Sequence, residues 1–546
     1  MRTSISALNG IPVLARTPFL ERERIVAKPG FNRWLLPPCA LAIHLCIGMA
    51  YGFSVFWLPL THALGGAAAC GPQVSVWQAL TATSCEWRVS DLIVMYELFF
   101  VFLGSSAALF GGWLERAGPR KAGLMATLCW CGGLAISALG VWTHQLWLMW
   151  LGSGAIGGVG LGLGYISPVS TLIKWFPDRR GMATGMAIMG FGGGALVGAP
   201  LADMLMNDFR APGSPGVWQA FLVMAAIYAA FMLAGSLGYR VPPDNWQPEG
   251  FVAPVASRRL VSAHNVALSD AHRTPQFWLV WAVLCLNVTA GIGVISVASP
   301  MLQEIFGGSL IGQAGTKLAS LSDEQRRAVA AVAAGFTGLI SLFNIGGRFF
   351  WASFSDRIGR KLTYAAFFVL GVALYASAPS LAHAGQQALF VAAICVILSM
   401  YGGGFATVPA YLADLFGTRF VGAIHGRLLT AWSVAGVAGP FLISSLRDIE
   451  IAAGVPRESV YDVTLYILAG LLAVGFLANL AIRPVAPRWW MPDDASPRAV
   501  ARVAGGSHGI GTGGFSGPAS LAWACVGLPI AWGVWVTLQK ALVLFH

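Results

Sequence analysis

The sequence predicts an all-α integral membrane protein: two parallel six-helix repeats followed by one extra C-terminal transmembrane helix. Three observations predict it. Of 546 residues, 56% are hydrophobic and only 10% charged, where a soluble domain carries charge at about a quarter of its positions. Apolar runs of about 20 residues, long enough to cross the hydrocarbon core as helices, recur along the whole chain. One offset, the 241 residues that separate Gly118 from Gly359, superimposes motifs of the first half on the second.

Twelve spans form the main block, at 34–60, 88–114, 122–142, 146–174, 180–206, 217–239, 275–302, 327–352, 362–382, 386–415, 422–446 and 461–482. A thirteenth lies at 519–543. The organisation that follows is an N-terminal tail (1–33), a six-helix bundle (34–240), a polar Pro-rich linker (241–274) and a second six-helix bundle (275–485). A Gly/Pro/Ser-rich linker (486–518) then leads to the last helix. The tail has no continuous apolar core before Trp34, so it does not read as a cleaved signal peptide.

The net charge is +11. With the tail placed in the cytoplasm, most Lys and Arg fall in cytoplasmic loops, the asymmetry that orients polytopic proteins. This reading places the chain in the inner (plasma) membrane, N-terminus cytoplasmic and C-terminus outside. The basic charge does not suggest nucleic acid, because neither aromatic-basic interleaving nor zinc-ligand spacing accompanies it. No metal or cofactor is expected. Seven of the nine cysteines sit in spans and read as small apolar packers. Cys70 and Cys85 share the first outside loop, where an oxidising compartment allows a bridge. Two free thiols are the alternative.

The duplication is visible in several elements. Gly52 matches Gly293, Pro59 matches Pro300, and Pro168 matches Pro409. Gly181, Gly185 and Gly198 match Gly422, Gly426 and Gly439. Two charged loops also match: GGWLERAGPRK at 111–121 and WASFSDRIGRK at 351–361. In the first, Gly112, Glu115, Arg116, Gly118, Arg120 and Lys121 are candidate gate residues; in the second, Asp356, Arg357, Gly359, Arg360 and Lys361. An acid at a helix end can hold an arginine and a neighbouring helix terminus in one conformation and release them in another. Simple topogenic charge is the alternative. Parallel repeats of this kind place a substrate between the halves near mid-membrane.

These loops resemble the signature loop of the major facilitator superfamily, with Glu115 in place of Asp and Pro119 intruding in the first copy. Three further stretches narrow the resemblance: YGFSVFWLPL at 51–60, GYISPVSTLIKWFPDRRGMATGMAIMGFGGGALVGAP at 164–200 and YGGGFATVPAYLADLFG at 401–417. They look like the oxalate/formate antiporter family over about residues 31–485. The resemblance implies a major facilitator fold and secondary transport of small carboxylates by alternating access.

Arg348 interrupts an apolar run, eight positions before Asp356, which places it about 12 Å deeper at 1.5 Å per residue. A cation at that depth is costly and faces a cavity or a partner. Its planar fork suits a carboxylate, whereas snorkelling or an internal ion pair is the bland explanation. The resemblance implies the binding role, because family members carry a substrate-binding arginine in the eighth span in an Asn-x-x-x-Arg context like Asn344 to Arg348. Where an oxalate carrier of that family has a lysine in span 11, this chain has Trp432. One cation suits a monocarboxylate such as formate, lactate or pyruvate better than a dianion.

Tyr51, Tyr165, Tyr401, Phe405 and Trp432 are the candidate aromatic walls of the site. Glu97, near mid-depth in span 2, reads either as a proton carrier or as a structural acid. His44 in span 1 carries the same two readings, with the packing one preferred. The thirteenth span resembles a single-span companion protein of some such carriers, fused here.

The functional expectation is a carboxylate antiporter, with a small carboxylate and the lipid bilayer as partners and one chain sufficient. A proton-coupled monocarboxylate symporter is the alternative, and a transporter-like sensor a remote one. An enzyme is not expected, since the spans show no clustered ligands or nucleophile-base pair.

Overall fold

The computed structural model describes residues 19–65, 67–68, 70, 74–243, 246–248, 262, 264–313, 315–491 and 517–541. The first eighteen residues of the expected tail, much of the 241–274 linker and most of the 486–518 linker lie outside the described residues.

The long helices follow one another with short connections. They are α1 (Leu36–Ile47, continued by tighter 3-10 turns over Gly48–Phe56), α2 (Val89–Ala117) and α3 (Pro119–Trp142). Next come α4 (Leu146–Trp175), α5 (Arg180–Asp208) and α6 (Val217–Gly238). The second set is α7 (Pro275–Phe306), α8 (Asp323–Ile358), α9 (Arg360–His383), α10 (Gln387–Phe416), α11 (Val421–Ala452) and α12 (Asp462–Ala481). Last is α13 (Gly517–Ala541). Among the described residues, all but α8 are recognised as long and apolar enough to cross a membrane. The 36-residue α8 is the longest and packs between α10 and α5. The chain is a multi-pass, all-α membrane protein.

Local chemistry sets the boundaries. The Thr274 side chain accepts from Phe277 N at the start of α7, and Ser322 with Gln325 forms a reciprocal cap on α8. Pro119 opens α3 at a position where no backbone donor is needed. The proline that departs from the loop motif therefore fits the turn. Gly118 and Gly359 sit at φ +86° and +91°, a backbone region that glycine enters without strain. Both tight α2–α3 and α8–α9 turns depend on it.

The first and second sets of six meet along two seams, α5 against α8 and α2 against α11. Glycines make the approach close. A Cβ on Gly185 would lie 2.9 Å from the Arg348 carbonyl oxygen. A Cβ on Gly426 would collide with the Ala107 carbonyl. Small residues let helix backbones approach in this way.

On the face away from the two charged turns, Cys70 and Cys85 form a disulfide with Cα atoms 4.9 Å apart. Two backbone bonds flank it: Cys70 N donates to Glu86 O at 2.9 Å and Glu86 N to Ala68 O at 3.0 Å. His144 stacks flat on Trp87 with ring centres 4.1 Å apart. Its Nε2 also meets Cys85 O at 2.9 Å.

Helix α13 lies across a seam. Its Trp523 Nε1 donates to Trp34 O at 3.2 Å, and Val526 joins a buried cluster with Leu41, Ala42 and Leu45 of α1. Further along, Gly533 faces the Leu196 backbone of α5 and Thr537 faces Gly338 of α8. It therefore touches both sets of six.

Candidate functional site

Arg348 is fully buried on the inner side of α8. Its Nε donates to Asn344 Oδ1 at 2.8 Å, one turn back on the same helix. Its Nη1 donates to the Ile188 carbonyl of α5 at 3.3 Å. Nη2 has no partner among the described residues, and no carboxylate there forms an ion pair with the group. The guanidinium carbon lies 5.6 Å from the Phe191 ring centre and 5.5 Å from that of Phe405, within cation–π range.

The five aromatics expected at the site converge there. Tyr51 and Tyr401 join their hydroxyls at 3.0 Å across the two sets of helices. Phe405 packs on Trp432 at 4.5 Å, and Tyr401 on Phe405 at 5.3 Å. Tyr165 packs on Trp432 at 5.3 Å. The ring missing from the sequence reading is Phe191 of α5. It touches Tyr51 at 4.9 Å, Tyr165 at 5.4 Å and Trp432 at 5.4 Å. Its segment, MAIMGFGGGALVG, is uniformly apolar and carries no signal that singles it out. Two orphaned polar groups, Tyr165 Oη and Trp432 Nε1, lie buried in this cluster beside the orphaned Arg348 Nη2. A buried donor without a partner costs on the order of 1–3 kcal/mol. A small anion with an apolar body would supply the missing acceptors.

Glu97 is not part of the cluster. It is exposed on α2, whereas Phe99 and Phe100 of the same turn are buried. Among the described residues, no group of three or more His, Cys, Asp or Glu side chains is placed to hold a metal ion.

The charged turns form two latches between the sets. Asp356 accepts from the Gly181 and Met182 backbone N–H groups at 2.8 and 2.9 Å, at the N-terminus of α5. Arg360 braces it at 2.6 Å and also reaches Asp414 at 3.2 Å, which in turn pairs across the seam with Arg180 at 3.1 Å. Glu115 accepts from Gly422 N at 3.1 Å, at the N-terminus of α11. Ser170 and Lys174 brace it at 3.1 and 2.5 Å. An anionic group at a helix N-terminus meets both orphan donors and the positive end of the dipole.

Other gate candidates do different work. Arg120 donates to Leu237 O and Tyr239 O at the end of α6, and Lys361 donates to Leu480 O and Ile482 O at the end of α12. Each caps the last helix of its own set. Lys121 pairs with Glu21 at 2.7 Å. Arg116 and Arg357 are exposed, and Gly112 lies beside Leu268.

Two six-helix sets, latched to each other at one face, close around a buried cation. The chain belongs to the major facilitator superfamily, whose family model matches residues 40–440. It is similar to the oxalate:formate antiporter of Oxalobacter formigenes, 25% identical over 75% of this chain and 83% of that protein. It is also similar to apicoplast pyruvate carrier 1 of Toxoplasma gondii, 24% identical over 65% of this chain and 69% of that one. Among solved structures, the transporter FucP in its outward conformation superimposes with a TM-score of 0.54 at 15% identity, covering 83% of this chain and all of that one. The relatives are transporters and not enzymes.

Proposed function

We propose that this protein is a secondary carrier of small carboxylate anions that alternates access by rocking residues 34–240 against 275–485. The observation that carries the reading is Arg348: a fully buried cation with no carboxylate partner among the described residues, and one arm free inside an aromatic enclosure. A buried charge is stable only when paired and hydrogen-bonded, and a substrate carboxylate is the pair. The free Nη2 can donate to a carboxylate oxygen while Nε and Nη1 stay held by Asn344 and Ile188. Tyr51, Tyr165, Phe191, Tyr401, Phe405 and Trp432 wall the rest and exclude bulky or strongly hydrated anions.

The names of the relatives support carboxylates as the substrate class. With a single fixed cation in the cluster, the site balances a monocarboxylate such as formate, lactate or pyruvate. Charge-balanced exchange and proton symport both fit that arithmetic. The latches at Glu115 and Asp356 hold one face shut, and the distribution of basic loops supports the reading of that face as cytoplasmic.

Purified protein in liposomes tests the reading. Labelled formate, lactate, pyruvate and oxalate should each be offered in counterflow, with the others as competitors. Monocarboxylate counterflow that Arg348→Gln strongly lowers in normally inserted protein is the expected result. Normal counterflow in that variant would remove the argument.

A further inference from the structure

Three buried titratable groups stand together and come from different helices: His44 on α1, Tyr165 on α4 and His425 on α11. Tyr165 lies between the two imidazoles, with ring centres 5.2 Å from His44 and 5.9 Å from His425. All three are fully buried.

The histidines differ in what their nitrogens meet. Both nitrogens of His425 lack a partner among the described residues. Both nitrogens of His44 meet backbone carbonyl oxygens: Nδ1 meets Ala187 O of α5, and Nε2 meets Tyr165 O of α4 at 3.2 Å. A neutral imidazole has one N–H and one lone pair. In a cradle of two acceptors, its lone pair faces an oxygen lone pair and one contact is repulsive. An imidazolium donates to both. The cradle is therefore shaped for the protonated form, with two carbonyl dipoles around the added charge.

The cradle itself is tightly made. Gly190, one turn from Ala187, leaves no room for a side chain: its Cβ would lie 3.1 Å from His44 Cβ. The charged and titratable groups that face His44 are Arg348 from α8, Tyr165 from α4 and His425 from α11. From α5 it meets a carbonyl. No acid faces it among these groups, so the one full charge in reach is the Arg348 cation, which opposes a second positive charge.

We propose that His44 is a proton-binding site whose occupancy is linked to the anion held by Arg348. An empty Arg348 repels the proton. A bound carboxylate cancels that repulsion, and the proton, taken from water, completes the two hydrogen bonds of the carbonyl cradle. The linkage is reciprocal by thermodynamic necessity, so a protonated His44 tightens the anion in turn. The cycle then moves an anion and a proton together, which is symport. This rests on the reading of Arg348 as the anion site, and it selects one of the two couplings left open there.

Two measurements on the full-length protein test it. In the first, formate is added to detergent-solubilised protein in weak buffer with a pH-indicator dye. Wild type should take up protons on binding, and His44→Gln should not. In the second, liposomes carry an internal pH dye. A pH gradient should drive formate accumulation in wild type, while His44→Gln should lose about 10-fold or more of the gradient-driven component and should need a higher formate concentration for the counterflow that remains. His44→Asn is the second variant should His44→Gln fail to insert.

Wild-type counterflow without proton uptake would overturn the proposal and leave the carboxylate reading standing. Unchanged proton uptake in both His44 variants would also overturn it. Absence of counterflow with any of the four anions would defeat the carboxylate reading and this one together.

Discussion

Positions 107 and 348 are equivalents in the duplicated chain and occupy equivalent places in the two seams. A glycine of the opposite set presses on the backbone of each: Gly426 on Ala107 and Gly185 on Arg348. Those two glycines are themselves equivalents. The backbone contact has thus been kept in both copies while the side chains went separate ways. One copy has a methyl group, the other a guanidinium. The latches show the same drift. Asp356 grips two backbone donors and sits beside an ion pair that crosses the seam, while Glu115 grips one. The frame is symmetric because close packing requires it at both seams, and the asymmetry lies in the side chains, with a buried cation in one copy alone.

The largest effect should fall on the side chain without a counterpart. Arg348→Gln should lower anion counterflow about 100-fold, since about 1.4 kcal/mol accounts for each factor of ten. Arg348→Lys should recover only part of it, because an ammonium cannot offer the fork. Equal activity of the two variants would show that charge alone matters. The disulfide is likewise private to the first copy, because Ile311 and Arg326 stand at the equivalent positions. Its loss through paired Ser substitutions at Cys70 and Cys85, 15 residues apart, should cost about 3 kcal/mol of stability by loop entropy. A lowered melting temperature with intact counterflow at 25 °C is the expected pattern.

The latches give a smaller, graded contrast. Asp356→Asn removes charge from three hydrogen bonds, each worth about 1.5–3 kcal/mol when charged. Glu115→Gln removes less from the seam. A cysteine placed at Thr407, buried behind the latched face, should be alkylated faster in both variants and fastest with Asn at 356. Equal rates would mean that the two latches carry equal weight.

At the seams, Gly426→Ala should slow exchange more than Gly185→Ala, since its Cβ meets backbone more closely. Overpacking of this kind costs about 1–3 kcal/mol. The smallest effect concerns pH. Burial holds the His144 imidazole below the usual histidine value of 6.5. The unfolded chain therefore takes a proton that the folded loop resists, and stability falls as pH drops below that value. Melting curves at pH 8 and 5.5 should separate slightly in wild type and less so in His144→Asn.

Much of this was legible in the sequence for definite reasons. Arg348 stood out because a cation in an apolar run has few explanations. Asp356 and Glu115 stood out because a charged turn repeated at one offset is hard to obtain by chance. Cys70 and Cys85 stood out because they fell outside the spans. Depth along a helix can be counted, so Glu97 reads as near mid-span. Its azimuth could not be counted from one residue, and it lies about 200° around the helix from Phe99, two residues on at 3.6 per turn. Phe191 was illegible because every residue around it is apolar or small. The two acceptors around His44 were illegible because they are main-chain atoms of α4 and α5, which sequence does not place.

The path of α13 carries a consequence for the surrounding lipid. By lying over Gly193, Leu196 and Gly338, it roofs the furrow where the two sets of six meet and would keep acyl chains from wedging there. Gly533 and Thr537 present small, nearly featureless surface to that furrow. A smooth roof of this sort permits sliding beneath it, and its removal should leave an activity that varies with the thickness and saturation of the bilayer.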